Sequence, residues 1–235
     1  MIDLQKTDDV FVLTMDYGEN RFRPENIDAW NAALDEVERA GSPAALVTTG
    51  TGKFYSNGLD LDWMMGEAKA DQQARYIPAV LAVMARVLTF PCITVAALNG
   101  HAFGAGAQIA LAHDYRVMRR DRGYFCMPEI NMGAPLHPGM TAIIQARLPH
   151  QTAHRVITEG QHYGGEAAEA LEIVDATAAE SEVVEQSVAL AASLAGKAHP
   201  IMQKLKSDMY PHVLEALARP MSDVPPLDLE DGVPR

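Results

Sequence analysis

Residues 92–113 read CITVAALNGHAFGAGAQIALAH, and this order of residues indicates the fold. The segment opens with a near-continuous apolar run over 92–98, which is typical of a β-strand covered on both faces. Glycines follow at positions 100, 104 and 106, and an apolar helix is predicted from Ala107 to His113. A buried strand that turns through glycines into a helix favours a layered α/β domain.

The rest of the chain divides into an alternating part and a helical part. In the first part, strands are predicted over 10–15, 44–49, 115–118 and 124–126, with helices from Asn26 and over 71–88. From Thr152 the strand signal fades, and helices are predicted over 152–159, 166–171, 180–195 and 199–217. We therefore predict an α/β core over 1–172, a helical oligomerisation region over 173–219 and a proline-rich acidic tail over 220–235.

Composition excludes several classes of function. The formal net charge of −12 across 235 residues, with no basic cluster longer than Arg119-Arg120, argues against nucleic-acid partners and anionic membranes. The 2 cysteines cannot form a disulfide framework or a cysteine-rich metal site. The N-terminus lacks the pattern of a signal peptide, and no apolar run reaches the ~20 residues of a membrane span. We expect a cytoplasmic protein.

Three short segments carry the candidate chemistry. The turn Ser56-Asn57-Gly58-Leu59-Asp60 and the helix start at Gly104-Ala105-Gly106 can both present unpaired backbone N–H groups. Two such groups aimed at one point would form an oxyanion hole, although a glycine-rich turn taken alone is more often a packing feature. Glu129 follows a strand and Pro128, and a carboxyl group in such a place is either buried with a raised pKa or turned to water.

Taken together, these segments resemble the crotonase (enoyl-CoA hydratase/isomerase) superfamily. The resemblance rests on the order and spacing of FYSNGLDL at 54–61, NGHAFGAG at 99–106 and MPEINMG at 127–133. It implies a spiral of ββα units with a C-terminal helical region, and an acyl-CoA substrate. It also implies that the backbone N–H groups of Leu59 and Ala105 bind the thioester oxygen.

The resemblance further suggests which reaction is catalysed. Hydratases of this family carry two glutamates that handle one water molecule, but here the first position is Gln108 and only Glu129 is retained. An amide cannot exchange a proton at neutral pH. One glutamate suffices for a Δ3,Δ2-enoyl-CoA isomerase, with Glu129 as both base and acid. The alternatives are an enoyl-CoA hydratase, a crotonase that hydrolyses a thioester or cleaves a C–C bond, and a non-catalytic acyl-CoA-binding paralogue.

The resemblance also implies a set of substrate contacts. The predicted substrate-binding residues are Ser56, Asn57, Gly58, Asp60, Gly104, Gly106, Gln108, His137 and Lys206. No metal site and no separate cofactor are expected, because coenzyme A is part of the substrate. The expected assembly is a homotrimer or a dimer of trimers. Because Gln108 follows the glycine-rich turn by less than one helical turn, its replacement by glutamate is expected to raise hydration of 2-enoyl-CoA.

Overall fold

Two β-sheets and eleven α-helices organise the chain in the computed structural model, which describes residues 1–224. The strands are β1 (Ile2–Thr7), β2 (Val10–Met15), β3 (Ala45–Gly50), β4 (Phe54–Ser56), β5 (Ile93–Leu98), β6 (His101–Phe103), β7 (Tyr115–Arg119), β8 (Phe125–Cys126) and β9 (Ala176–Ala178). The helices are α1 (Pro24–Ala40), α2 (Leu61–Gly66), α3 (Ala70–Leu88), α4 (Ala105–Ala112), α5 (Glu129–Met132), α6 (Pro138–Arg147), α7 (His150–Glu159), α8 (Gly165–Ala170), α9 (Val183–Leu194), α10 (Pro200–Met209) and α11 (Pro211–Leu217). Short 3-10 helices follow at Ala195–Lys197 and Met221–Asp223.

From β3 onwards, consecutive strands alternate between the two sheets. The larger sheet has the order β1-β2-β3-β5-β7-β9 and the smaller sheet the order β4-β6-β8. Apart from the β1–β2 hairpin, all paired strands are parallel, and parallel neighbours require a crossover connection. The repeating unit is thus a strand in each sheet followed by a helix. This arrangement, together with the helices that end the chain, confirms the predicted α/β class built from ββα units.

The central strands of the larger sheet are buried on both faces, as the apolar strands predicted, whereas the edge strand β1 is largely exposed. Leu46 on β3 and Leu98 on β5 belong to the main core, which also includes the buried faces of α1, α3 and α4. Val47 and Val95 belong to a second core, in which they pack with buried residues of α9. Because neighbouring residues of one strand face different cores, the strand shows no alternation of apolar and polar residues.

Three features differ from the prediction. β9 pairs with β7, and α9 packs on β3 and β5. The α/β core, which was predicted to end at residue 172, therefore includes this later strand and helix. The helix predicted over 199–217 is two helices, because Pro211 has no N–H to continue α10 and instead begins α11. The sequence did not predict strands β1, β4 and β6 or helices α2, α5 and α6. Most of the tail predicted over 220–235 lies outside the described residues.

Helices in the described range do not reach the length and apolarity of a membrane span. The longest of them, α3, has 19 residues, and it is amphipathic, with one face buried in the main core and the other exposed. Its role is therefore to cover the sheet.

Candidate active site

One apolar cavity of about 540 Å³ lies where the smaller sheet meets α2, α3, α6 and the C-terminal 3-10 helix. It brings together six of the predicted site residues, which are Asn57, Leu59, Gly104, Ala105, Glu129 and His137. The remaining wall is formed by Arg21, Leu61, Asp62, Met64, Ile77, Phe103, Pro128, Met132, Ala134, Pro135, Leu136, Met140, Met221 and Val224.

The turn after β4 is held in place by a buried serine. The Ser56 hydroxyl donates to the Asn20 carbonyl at 2.7 Å and accepts the Gly58 N–H at 3.2 Å. Gly58 has a φ of 78°, and a Cβ at this position would lie 2.7 Å from the Phe103 carbonyl oxygen. Both the backbone angle and the close approach therefore require glycine. Ser56 is thus a structural residue and not a wall of the cavity, contrary to the predicted substrate contact.

The two glycine-containing turns lie against each other. A Cβ placed on Gly58 would lie 3.0 Å from the Ala105 nitrogen. Leu59, which follows Gly58, and Ala105 therefore lie close together in the cavity wall. The N–H of Ala105 is free because it belongs to the first residue of α4. Neither this N–H nor that of Leu59 has an acceptor within residues 1–224. Both are available to a ligand oxygen in the cavity.

Glu129 begins α5 at the same corner. Its Oε1 would lie 3.4 Å from a Cβ placed on Gly104, the residue that precedes Ala105. Its Oε2 is buried without a hydrogen-bond partner in the described part of the chain. Burial raises the pKa of Glu129 to about 7, against the smaller opposing effect of its own backbone N–H. A carboxyl group with this pKa can both accept and return a proton near neutral pH.

His137 lines the cavity, but both of its ring nitrogens are engaged. Nδ1 accepts the Gly139 N–H at 3.1 Å and thereby caps α6, while Nε2 lies 3.1 Å from the Arg219 carbonyl oxygen. A carbonyl only accepts, so Nε2 carries the proton. The ring therefore joins the start of α6 to the C-terminal segment, and no nitrogen is left for proton transfer with a substrate.

Asn57 and Asp60 have different positions in the turn. Asn57 lines the cavity and its amide donates to Glu19 at 2.8 Å. Asp60 is not part of the cavity wall. Its carboxylate caps α2 and accepts a hydrogen bond from Arg23 at 2.6 Å. Burial opposes ionisation of Asp60, but the hydrogen bonds from Arg23 and Trp63 outweigh it and lower the pKa. The predicted substrate contact at Asp60 is therefore replaced by a structural role.

Three further predicted contacts lie outside the cavity wall. Gly106 packs so closely on β4 that a Cβ would collide with the Ser56 carbonyl. Gln108 is fully buried, and neither polar atom of its amide has a partner among the described residues. The Lys206 ammonium is buried, where it donates to the carbonyls of Phe90 and Cys92 and to Asp114 at 2.7 Å. We therefore replace the predicted coenzyme A contact at Lys206 by a structural role.

Several wall residues carried no signal in the sequence. Arg21 lies at the cavity and pairs with Asp62 at 2.8 Å, yet an arginine in a loop is unremarkable by itself. Met221 and Val224 come from the far end of the described chain.

A wall role for methionines at 64 and 65 could be anticipated from their place after the first motif. Met64 does line the cavity, whereas Met65 is 57% exposed.

The cavity can stabilise a negative oxygen and move one proton beside it. Leu59 and Ala105 line the wall with backbone N–H groups that have no acceptor within residues 1–224, Glu129 adds a carboxyl group with a raised pKa, and the apolar remainder of the wall suits a hydrocarbon chain. Across residues 1–224, no three His, Cys, Asp or Glu side chains are grouped so as to hold a metal ion.

Comparisons with known proteins agree with this chemistry. Residues 5–222 match the family model described as enoyl-CoA hydratase/isomerase. Enoyl-CoA delta isomerase 3 from Arabidopsis thaliana is 36% identical over 222 residues, which cover 91% of this chain and 93% of the relative. A putative enoyl-CoA hydratase from Thermus thermophilus is 30% identical over 218 residues, covering 91% of this chain and 79% of the relative.

A solved structure shows the same fold. The apo structure of an enoyl-CoA isomerase from Mycobacterium tuberculosis matches with a TM-score of 0.84 at 25% identity, covering 92% of this chain and 93% of the other. The family model spans nearly the whole described chain, and the isomerase and hydratase relatives each cover more than two thirds of it. The resemblance seen in the motifs is confirmed, and the chain is an enzyme that belongs to the enoyl-CoA hydratase/isomerase family.

Proposed function

We propose that this enzyme converts a 3-enoyl-CoA into a 2-enoyl-CoA, with Glu129 carrying the proton. The observation that supports the proposal most strongly is the setting of Glu129. Its carboxyl group is mostly buried, has a pKa raised to about 7 by burial, and lies beside the free N–H groups of Leu59 and Ala105. A general base is most effective when its pKa is close to the working pH.

The reaction follows from this arrangement. The ionised Glu129 removes a proton from C2 of the 3-enoyl thioester, and the electron pair moves onto the thioester oxygen to give a dienolate. The N–H groups of Leu59 and Ala105 stabilise the negative oxygen. The protonated Glu129 then returns the proton to C4 while the C=C bond forms between C2 and C3. No water is consumed, and the carboxylate is regenerated.

The carboxyl groups of the cavity wall favour isomerisation over hydration. Among residues 1–224, only Glu129 and Asp62 contribute carboxyl groups to the wall, and the Asp62 side chain is 88% exposed and paired with Arg21. Hydration requires one group to activate water and another to protonate C2. Because Gln108 is outside the wall and cannot exchange a proton, the described part of the chain gives Glu129 no buried acid–base partner there.

The test is a parallel assay of 3-enoyl-CoA isomerisation and 2-enoyl-CoA hydration. We expect isomerisation to dominate, and Glu129→Gln to lower it by about 10²–10⁴-fold while acyl-CoA binding is kept. Asp62→Asn is the matched control, since it removes the other carboxyl group of the wall and is expected to leave turnover nearly unchanged. If hydration, thioester hydrolysis or C–C cleavage is the dominant reaction, the isomerase assignment is wrong. Acyl-CoA binding without any turnover would indicate a non-catalytic paralogue.

We also propose that the chain assembles as a homotrimer or a dimer of trimers. Support comes from α10, where Ile201, Leu205 and Met209 are spaced four residues apart and are each more than half exposed. An apolar stripe of this kind on a helix is typical of a contact surface. Sedimentation should show the oligomer, and Leu205→Asp should dissociate it. Gln203→Asp, on a different face of the same helix, is the control, and a monomeric wild-type protein would contradict the proposal.

The cytoplasmic location predicted from the sequence is likewise a proposal. It is tested by imaging a fluorescent fusion of the full chain in its own cells, where enrichment in an organelle or at a membrane would contradict it.

A further inference from the structure

We propose that residues 219–224 form the wall that sets the length of acyl chain the cavity accepts, with Met221 and Val224 as the specificity-determining side chains. This inference rests on the proposed function, because it takes the apolar cavity to be the acyl site. It assigns a role in substrate selection to a segment more than eighty residues after Glu129 in the chain.

The position of the segment supports this role. Helix α11 packs against both α3 and α6, and the 3-10 helix Met221–Asp223 that follows it contacts α3. Met221 and Val224 thereby reach the cavity beside Ile77 of α3 and Met140 of α6. The segment therefore contributes two apolar side chains to the part of the wall that these two helices also line.

The His137 side chain also attaches the segment to the cavity wall. The His137 Nε2–H donates to the Arg219 carbonyl at 3.1 Å, two residues before Met221. The opposite ring nitrogen accepts the Gly139 N–H, so the ring is held from both sides and is only 2% exposed. His137 is therefore a positioning residue, which acts on the substrate through the C-terminal segment.

The chemistry of this wall suits selection by size. Met221 and Val224 offer no hydrogen-bond donor or acceptor that could recognise a polar group, so they distinguish substrates by the space they leave. Methionine is unbranched and flexible, and its truncation to alanine opens room for further methylene groups. A single methylene in an apolar pocket changes discrimination by about tenfold or more.

The test compares chain-length profiles. The values of kcat/KM are measured for 3-hexenoyl-, 3-octenoyl-, 3-decenoyl- and 3-dodecenoyl-CoA with the wild type and with the double variant Met221→Ala, Val224→Ala. We expect the ratio of the longest to the shortest substrate to rise by at least about tenfold. Met65→Ala is the matched control, because Met65 is exposed and not part of the wall. A double variant with the wild-type profile would overturn the inference.

Binding measurements separate this inference from the proposed reaction. Dissociation constants of saturated acyl-CoA esters of the same lengths should shift in the same direction in the double variant. If no 3-enoyl-CoA is isomerised and this shift is still found, the isomerase proposal fails while the wall is supported. If isomerisation is found but neither profile shifts, the wall is refuted alone.

The role of His137 is tested by His137→Asn. Asparagine can still cap α6, but its shorter side chain does not reach the Arg219 carbonyl. We expect the same direction of chain-length shift as in the double variant, seen mainly in KM for the long substrates. An equal loss of kcat at every length would instead assign His137 to the reaction and refute the positioning role.

Discussion

Replacing Glu129 by glutamine should make the folded protein more stable at neutral and alkaline pH, although the proposed mechanism expects the same change to lower isomerisation by about 10²–10⁴-fold. Burial raises the pKa of this carboxyl from its ordinary value of 4.5 to about 7, so the folded state resists its ionisation more than the unfolded state does. Glutamine has nearly the same shape and never ionises. The variant therefore loses the proton carrier and, with it, the cost of ionising a buried group.

The magnitude follows from linkage. A raised carboxyl pKa costs nothing below the unfolded-state pKa, and the penalty grows as the pH rises towards the folded-state pKa. For a pKa that changes from 4.5 to about 7, the penalty is about 1 kcal/mol at about pH 5 and reaches about 3 kcal/mol at about pH 8. The stability advantage of Glu129→Gln should therefore increase by about 2 kcal/mol between these two conditions.

The assay is urea unfolding of both proteins at the two pH values and at one protein concentration, since assembly also affects apparent stability. Glu36→Gln, at an exposed position on α1, serves as the control and should show no such pH-dependent advantage. If wild type and Glu129→Gln differ by the same amount at both pH values, the carboxyl does not ionise with a raised pKa. The argument for Glu129 as a base poised near neutral pH would then be refuted.

Four further outcomes are expected. The value of kcat/KM should rise with pH through about 7 in the wild type, because only the ionised Glu129 can accept the C2 proton; a flat profile over that range would contradict this. Lys206→Met should lower the free energy of unfolding by about 3 kcal/mol, because it removes the cation that pairs with Asp114. A raised KM at unchanged stability would instead support the predicted contact of Lys206 with coenzyme A. Gln108→Glu should destabilise the fold by about 1–3 kcal/mol, because it places a carboxyl group where the buried amide already has no partner among the described residues. Hydration of 2-enoyl-CoA should stay unchanged, which is the opposite of the expectation from sequence. A clear gain in hydration would place this side chain at the reacting water. Activity should survive exhaustive treatment with EDTA, because in the proposed mechanism backbone N–H groups stabilise the oxyanion; a loss of activity that a divalent ion restores would argue against this mechanism.

Strands β2, β3, β5 and β7 and most of the long helices were predictable because each depends on local pattern. The apolar run at 92–98 gave β5, and the periodic apolar residues after Asn26 gave α1. Strand β9 was not predictable, since three residues of Ala-Thr-Ala carry little strand preference and are ordered by pairing with β7. The break at Pro211 could have been predicted from the missing N–H of proline.

The sequence by itself determined the family and the two turns that present the N–H groups of Leu59 and Ala105. A turn beside a glycine and the start of a helix are local structures, and their backbone requirements can be read from a few neighbouring residues. It also pointed to Glu129, but only through the resemblance of MPEINMG at 127–133 to the family motif, because the local sequence left open whether this carboxyl group is buried or turned to water.

Only the tertiary structure decided which side chains meet at the cavity. Lys206 and Gln108 sit on helices where sequence spacing allowed a site role, but packing directs one to buried carbonyls and leaves the other outside the wall. Met221 and Val224 become cavity residues solely because α11 lies across α3 and α6. The pKa of Glu129 is likewise a property of the packed surroundings. Burial and contacts between residues far apart in the chain arise from the whole fold, so no local pattern encodes them.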